Sequence, residues 1–257
     1  MLQDRLLGLI PARYASTRFP GKPLADIGGK PMIQRVYEQS SKALKHVYVA
    51  TDDKRIYDAV KKFNGNVVMT SSNHTSGTDR CTEALHIVET QERRNYDVVL
   101  NIQGDEPFIE PALLQTLSGC FMSSITEIAT LVKPLSSTDD LFDPNKPKVI
   151  FNPKYEAIYF SRSPIPFLRE YNRDEWVKNH SYYQHIGLYG YRSDILREIT
   201  SLKTSSLEKA ESLEQLRWLE NGYRISVRPV THDSIGIDTP EDLKKAIESD
   251  LLNNSNY

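Results

Sequence analysis

Four short apolar runs, alternating with stretches of helical spacing, restrict the first half of this chain to a narrow class of folds. Leu6–Ile10, Val47–Thr51, Val67–Met69 and Val98–Ile102 are brief and rich in β-branched residues, the pattern of buried strands. Between them, Met32–Ala43, Lys54–Phe63 and Gly77–Thr90 carry helical patterning, and Pro111–Phe121 follows as a further helix. Such alternation specifies an α/β fold: a mostly parallel central sheet with helices on both faces. Ligands of such sheets bind beyond the carboxyl ends of the strands, so the residues after each run are the ones to read for chemistry.

From Asp140 to Tyr183 the texture changes. Prolines 144, 147, 153, 164 and 166 break any long helix, while Lys148–Phe151 and Ala157–Phe160 read as short strands. This stretch is expected to be an inserted arm or flap, residues 140–183, on a single Rossmann-like domain that spans residues 1–257. The regular pattern returns with Gln184–Tyr191 as a strand and Leu207–Glu220 as one amphipathic helix, with Ala210, Leu213 and Leu216 facing the core. Ile225–Val230 (strand) and Pro240–Ser249 (helix) follow, and the polar tail from Asn253 to Tyr257 is expected to fray.

With 257 residues, 39% hydrophobic and 26% charged, the chain has the composition of an ordinary soluble protein and can bury a sizeable core. Its net charge of -2 provides no global basic field, which disfavours nucleic acid or an anionic membrane as partner. No run approaches the roughly 18 apolar residues of a membrane helix. The apolar stretch after Asp4 and Arg5 is too short for a secretory signal. Cys81 and Cys120 supply neither a disulfide framework nor metal spacing and read as buried, reduced thiols. A cytoplasmic location is expected.

The run Leu6–Ile10 empties into Pro11–Pro23, where Arg13, Arg18 and Lys22 recur with no acid before Asp26. Arg presents a planar fork suited to phosphate oxygens and Lys a mobile point charge. Small residues and Gly21 leave backbone N–H groups open to an anion. Two readings stand side by side: a phosphate cradle, or a solvated basic loop. Val98–Ile102 runs into Gln103-Gly104-Asp105-Glu106-Pro107. A carboxylate at that strand end suits a divalent cation beside a bound phosphate, although Gly, Asp and Pro also make plain turns. Of the two acids Asp105 is favoured as ligand, with Glu106 structural. Thr239, Pro240 and Asp242 form a helix-start signature, which leaves Asp238 as the freer carboxylate, able to join Asp105 on one ion. Two oxygen ligands without clustered His or Cys favour Mg²⁺ over zinc. Ser76 and Thr78 read either as a cap or as the mouth of an anion site at the start of the third helix. Arg80 on the first turn opposes the helix dipole, as a residue held for a ligand would.

These segments, in this order, resemble the sugar-acid cytidylyltransferases. The matching stretches are Ile10 to Pro23, Ser76 to Arg80, Asn101 to Pro107, Tyr159 to Pro166, His185 to Tyr189, Leu213 to Arg217 and Gly236 to Leu243, so the likeness covers nearly the whole chain. Phe19 stands where the family usually has Leu, and no departure touches a charged site residue. The resemblance implies that Arg13, Arg18 and Lys22 grip the phosphates of CTP and that Ala12, Ser76 and Gly77 lie near base and ribose. Arg80 and Gln103 are then on the nucleotide side, and Asp105 and Asp238 are the Mg²⁺ ligands. Arg162, His185, Tyr189, Glu214 and Gln215 would line a pocket for the sugar acid 3-deoxy-D-manno-octulosonate (Kdo). The arm would serve a homodimer. Read without the resemblance, Arg162 is a surface arginine that suits a carboxylate, His185 a satisfied core histidine, and Glu214 and Gln215 solvated helix residues. His74 and His232 stay unassigned.

The implied reaction is nucleotidyl transfer, in which the 2-hydroxyl of Kdo attacks the α-phosphorus of CTP and pyrophosphate leaves, a step of lipopolysaccharide biosynthesis. Direct displacement is expected, since no Ser/His/Asp or Cys/His arrangement suggests a covalent intermediate. The alternatives are transfer to 8-amino-Kdo or to another sugar acid of the sialic-acid type. From a different class come a nucleotide-binding sensor without catalysis and a Rossmann oxidoreductase. The oxidoreductase is disfavoured because no Gly-x-Gly-x-x-Gly follows a strand, and Gly28-Gly29-Lys30-Pro31 is no Walker loop because Pro31 stands where Ser or Thr is required.

Overall fold

Strand β1 (Leu6–Ala12) is buried along almost its whole length, with Leu6, Leu7, Leu9 and Ile10 at most 1% exposed. It leads the computed structural model, which describes residues 2–15, 19–231, 236–237 and 239–248. The chain continues through a small hairpin, β2 (Asp26–Ile27) and β3 (Lys30–Pro31), into α1 (Met32–Ala43), β4 (His46–Thr51) and α2 (Lys54–Lys62). Then come β5 (Val67–Met69), α3 (Gly77–Glu92), β6 (Val98–Asn101) and α4 (Pro111–Gly119). Further on are β7 (Ile128–Leu135), α5 (Thr138–Phe142), β8 (Lys148–Phe151), β9 (Ala157–Ser161) and α6 (Trp176–Asn179). The last elements are β10 (Tyr182–Arg192), α7 (Ser193–Thr200), α8 (Ser206–Glu211), α9 (Gln215–Glu220), β11 (Ile225–Pro229) and α10 (Pro240–Glu248). Two compact units result: one runs as far as Gln115 and includes α10, the other starts at Thr116 and includes β11.

In the first unit β1 pairs with β4 on one side and β6 on the other, and β4 pairs with β5, all parallel. Ala12 is in register with Thr51 at the ends of β1 and β4, and Asn101, the last residue of β6, pairs with Leu9 three residues earlier, so the carboxyl ends of all three strands point to one edge of the sheet. The helices bury one stripe each: Met32, Ile33, Val36 and Ser40 of α1, Ile56 and Val60 of α2, Cys81, Ala84, Leu85 and Val88 of α3. These are the i, i+3, i+4 spacings that pack a helix against a sheet. The predicted parallel sheet with flanking helices is the observed one.

In the second unit β7 pairs with β11 in parallel and with β10 antiparallel; β8 pairs antiparallel with both β10 and β9. The sheet here is mixed. Leu135, Leu141, Trp176 and Tyr182 form a core cluster with Phe142, Leu168 and Val177 packed against it, which places α5 and α6 of the proline-rich stretch on β7 and β10. The strand β7 and helix α7 were not read from the sequence.

One sequence expectation fails here. Leu207–Glu220 is not a single helix: Ser212 takes a left-handed conformation (φ 52°) between α8 and α9. The Arg162 guanidinium donates to the carbonyls of Glu211 and Ser212 at 2.7 and 3.2 Å, satisfying the helix end that the break exposes. Ala210, expected in the core, is consequently exposed, while Leu213 and Leu216 are buried. Arg18, His232, Asp238, Ser249 and the tail from Asn253 lie outside the described residues. Among the described residues, no helix is long and apolar enough to cross a membrane.

Candidate active site

The loops that leave β1 and β6 share an ion pair. Lys22 Nζ lies 2.6 Å from Asp105 Oδ2, with side chains 14% and 29% exposed. Two glycines make the arrangement possible. A β-carbon at Gly104 would sit 2.8 Å from the Pro11 carbonyl oxygen, so only glycine lets the β6 loop lie against the end of β1. Gly21 has φ 73° and opens the 3₁₀ turn Lys22–Leu24 that carries the lysine. The approach to α10 is tied to the same place: Ile237 N–H donates to the Asp105 carbonyl at 2.9 Å, and Ile237 is buried with Ile27, Met32 and Ala246. The predicted helix start is present as a reciprocal capping pair. Thr239 N–H donates to Asp242 Oδ2 at 2.9 Å, and Asp242 N–H to Thr239 Oγ1 at 3.1 Å. Asp238, the predicted second carboxylate, lies outside the described residues.

An oxygen-ligated cation fits what is present. Asp105 offers a half-exposed carboxylate whose one oxygen already faces an ammonium, and carboxylates are the hard donors that Mg²⁺ takes alongside phosphate oxygens. The described residues contain no trio of His, Cys, Asp or Glu placed to hold a metal; the expected donors are a carboxylate pair completed by substrate phosphates. At the end of β1, Ala12 is buried and Arg13 exposed.

The start of α3 resolves the choice between cap and mouth in favour of a cap at Ser76, whose hydroxyl accepts from Asp79 N–H at 3.0 Å. Gly77 is exposed next to it, with Pro11 its nearest neighbour. Arg80 is 3% exposed. Its guanidinium donates to Thr70 Oγ1 (2.6 Å), the Ser71 carbonyl (3.4 Å) and Asp52 Oδ2 (3.1 Å). The cation on a first turn is thus offset by Asp52 at the end of β4, an intramolecular explanation for a residue that the sequence marks as held for a ligand. Gln103 is half-buried in the loop after β6.

The remaining predicted residues all lie in the second unit. His185 on β10 is buried, its Nε2 3.0 Å from Thr130 Oγ1. The same hydroxyl lies 2.8 Å from the Leu188 carbonyl and 3.1 Å from that of Ile186. A hydroxyl has one proton to give, and carbonyls only accept, so the imidazole is the donor and carries its proton on Nε2. Burial pushes the His185 pKa down from 6.5 to about 3, which keeps the ring neutral. Tyr189 packs against His185 and edge-on against Trp218. Burial, with Tyr191 and Glu214 nearby, raises its hydroxyl pKa well above 10, leaving a proton donor. Gln215, a solvated helix residue when read without the resemblance, is 5% exposed. Its Nε2 and the Trp218 Nε1 are buried with no hydrogen-bond partner among the described residues. Buried donors without acceptors are costly. Glu214 is half-buried, 3.9 Å from Arg217.

Arg162 is a clamp. Besides the Glu211 and Ser212 carbonyls it donates to that of Pro144 at 2.9 Å, and its backbone N–H to Glu211 Oε2 at 2.8 Å. Sequence reasoning missed Thr130, Glu211 and Trp218, which act only through partners distant in sequence.

A family model described as cytidylyltransferase matches residues 7–225. Curated relatives named 3-deoxy-manno-octulosonate cytidylyltransferase include one from Parabacteroides distasonis, 60% identical over 247 residues, covering 95% of this chain and 97% of the relative. Another, from Phocaeicola vulgatus, is 60% identical over 245 residues, covering 94% and 96%. A solved structure of CMP:2-keto-3-deoxy-manno-octonic acid synthetase complexed with CTP superposes with a TM-score of 0.86 at 42% identity, covering 95% of this chain and 97% of that one.

Proposed function

The chain belongs to the cytidylyltransferase family, and from that premise we propose that it transfers the cytidylyl group of CTP to Kdo, giving CMP-Kdo and pyrophosphate for lipopolysaccharide biosynthesis. The observation that carries this reading is the Lys22–Asp105 pair at the carboxyl edge of the parallel sheet, where nucleotides bind in such folds. In the reaction, a bond forms between the 2-hydroxyl oxygen of Kdo and the α-phosphorus. The bond from that phosphorus to the β-phosphate bridging oxygen breaks, and the hydroxyl proton is lost.

In this reading Arg13, Arg18 and Lys22 hold the triphosphate and offset charge that builds on departing pyrophosphate. Ala12, Ser76 and Gly77 border base and ribose, with Gln103 and Arg80 on the same side; Arg80 acts by fixing the loop at Thr70 and Ser71. Asp105 and Asp238 would hold Mg²⁺, which when bound neutralises phosphate charge and polarises the α-phosphate. For the acid, Tyr189, Gln215 and the neutral His185 supply hydrogen bonds to hydroxyls, and Glu214 borders them. Each terminal nitrogen of Arg162 keeps a second N–H for the carboxylate. The chain's work is alignment rather than covalent catalysis. A homodimer built through residues 140–183, a single domain over residues 1–257 and a cytoplasmic location complete the proposal.

The test is pyrophosphate release with Kdo and each of CTP, UTP, ATP and GTP in turn. Release with CTP alone supports the reading. Faster turnover with 8-amino-Kdo or a sialic acid would reassign the acid, and tight CTP binding with no release from any acid would favour a sensor.

A further inference from the structure

The basic loop after β1 is tied at two of its described residues. Tyr14 and Gly21 close it: Gly21 N–H donates to the Tyr14 carbonyl at 3.0 Å, and the phenol end of the Tyr14 ring lies so close that a β-carbon on Gly21 would sit 3.0 Å from it. The ring is in turn covered by Arg55, whose guanidinium carbon is 3.3 Å from its centroid. Arg55 is forked onto Asp53, Nε to Oδ1 at 2.9 Å and Nη2 to Oδ2 at 2.6 Å. Asp53 caps α2 through Arg55 N–H, also at 2.9 Å. A chain of contacts therefore runs from the start of α2 through Arg55 and Tyr14 to Gly21, next to Lys22.

We propose that Tyr14 and Arg55 are positioning residues: a stacked brace that holds the β1 loop so that Lys22 stays beside Asp105 and Arg13 at the end of the strand. The inference rests on the assignment of that loop to the nucleotide phosphates. Three physical points support it. A guanidinium stacked on a tyrosine ring gains a cation–π attraction. The fork to Asp53 neutralises and orients Arg55, so its charge serves the ring and not a phosphate. Gly21 cannot carry a side chain without strain and without displacing the ring, so loop conformation and ring position are one unit. A displaced phosphate-binding lysine is costly even when the displacement is small.

The experiment is steady-state kinetics of the full-length protein with CTP, Kdo and Mg²⁺, with the thermal midpoint of each variant recorded. Tyr14→Leu and Arg55→Met are expected to raise the KM for CTP between about ten- and a hundredfold and to leave the KM for Kdo unchanged. Tyr14→Phe, which keeps the ring, should restore the parent value. The double variant should be no worse than Tyr14→Leu alone, as for residues acting as one unit. A parent-like KM for CTP in Arg55→Met, whose side chain is exposed and whose replacement spares the core, overturns the proposal; so does an equal rise in both KM values. Lys22→Met separates the two levels of the argument. If it is impaired while Tyr14→Leu and Arg55→Met are not, the brace alone fails; if Lys22→Met itself behaves as the parent, the phosphate assignment fails and the brace with it.

Discussion

Lys22 and Asp105, 83 residues apart in sequence, meet at 2.6 Å where the loops after β1 and β6 come together. Neither residue is buried deeply enough to be excluded from solvent, and neither is left as an uncompensated charge. A cation poised against a carboxylate is an economical arrangement for receiving a triphosphate. Under the proposed function the lysine would turn to phosphate oxygens and leave Asp105 to hold a metal, so that neither charge would stand bare.

The glycine at 104 is required by contact. Gly104→Ala drives a methyl to 2.8 Å from the Pro11 carbonyl oxygen, which the backbone of β1 cannot yield, so a loss of about 1–3 kcal/mol is expected. Gly119→Ala, with nothing within 4 Å of the added carbon, is the control. Urea denaturation of both variants checks the difference, and equal midpoints would mean that β1 and the β6 loop move apart freely.

His185 makes stability depend on pH. Its pKa falls from 6.5 to about 3 on folding because the ring is buried. Between those values the unfolded chain binds a proton that the folded chain does not. Stability contributed by the neutral ring is therefore complete above about pH 6.5 and declines as the pH falls, by up to about 1.4 kcal/mol per pH unit. His185→Asn removes the titration and keeps an N–H donor for Thr130. Its stability should fall less steeply between about pH 7 and pH 4.5 than that of the parent, measured by urea denaturation at each pH. Identical slopes would contradict the assignment.

Arg162 should behave as a clamp with a consequence for one substrate. Arg162→Lys keeps the charge but cannot reach three carbonyls with a planar fork. Loss of these bonds is expected to cost about 2 kcal/mol or more and to loosen the turn that presents Glu214 and Gln215. The KM for Kdo should rise while that for CTP stays put. A rise confined to CTP would show that the clamp serves something else.

The first half of the fold was legible because each element announces itself locally: β-branched runs for β1, β4, β5 and β6, helical spacing for α1, α2 and α3; the cap at Thr239 did the same for α10 near the end of the chain. The Lys22–Asp105 neighbourhood was legible for the same reason, since strand ends in a parallel sheet are known places. What escaped depends on distance. The break at Ser212 is stabilised by Arg162, some fifty residues earlier, and periodicity alone carried the helix through it. The carboxylate that partners Arg80, Asp52, lies 28 residues away in sequence. Read without the resemblance, Gln215 is a solvated helix residue, yet it is 5% exposed in the fold. The strand β7 was not read from the sequence, and its pairing partners β10 and β11 lie roughly fifty to a hundred residues further along the chain.

The central claim is that the Lys22–Asp105 locus carries the transfer. Pyrophosphate release by Asp105→Asn, with saturating CTP, Kdo and Mg²⁺, tests it most directly. A fall of at least about a hundredfold with an unchanged urea midpoint is predicted, the scale expected when a group stabilising transition-state charge is removed. Turnover close to that of the parent under these same conditions would contradict it.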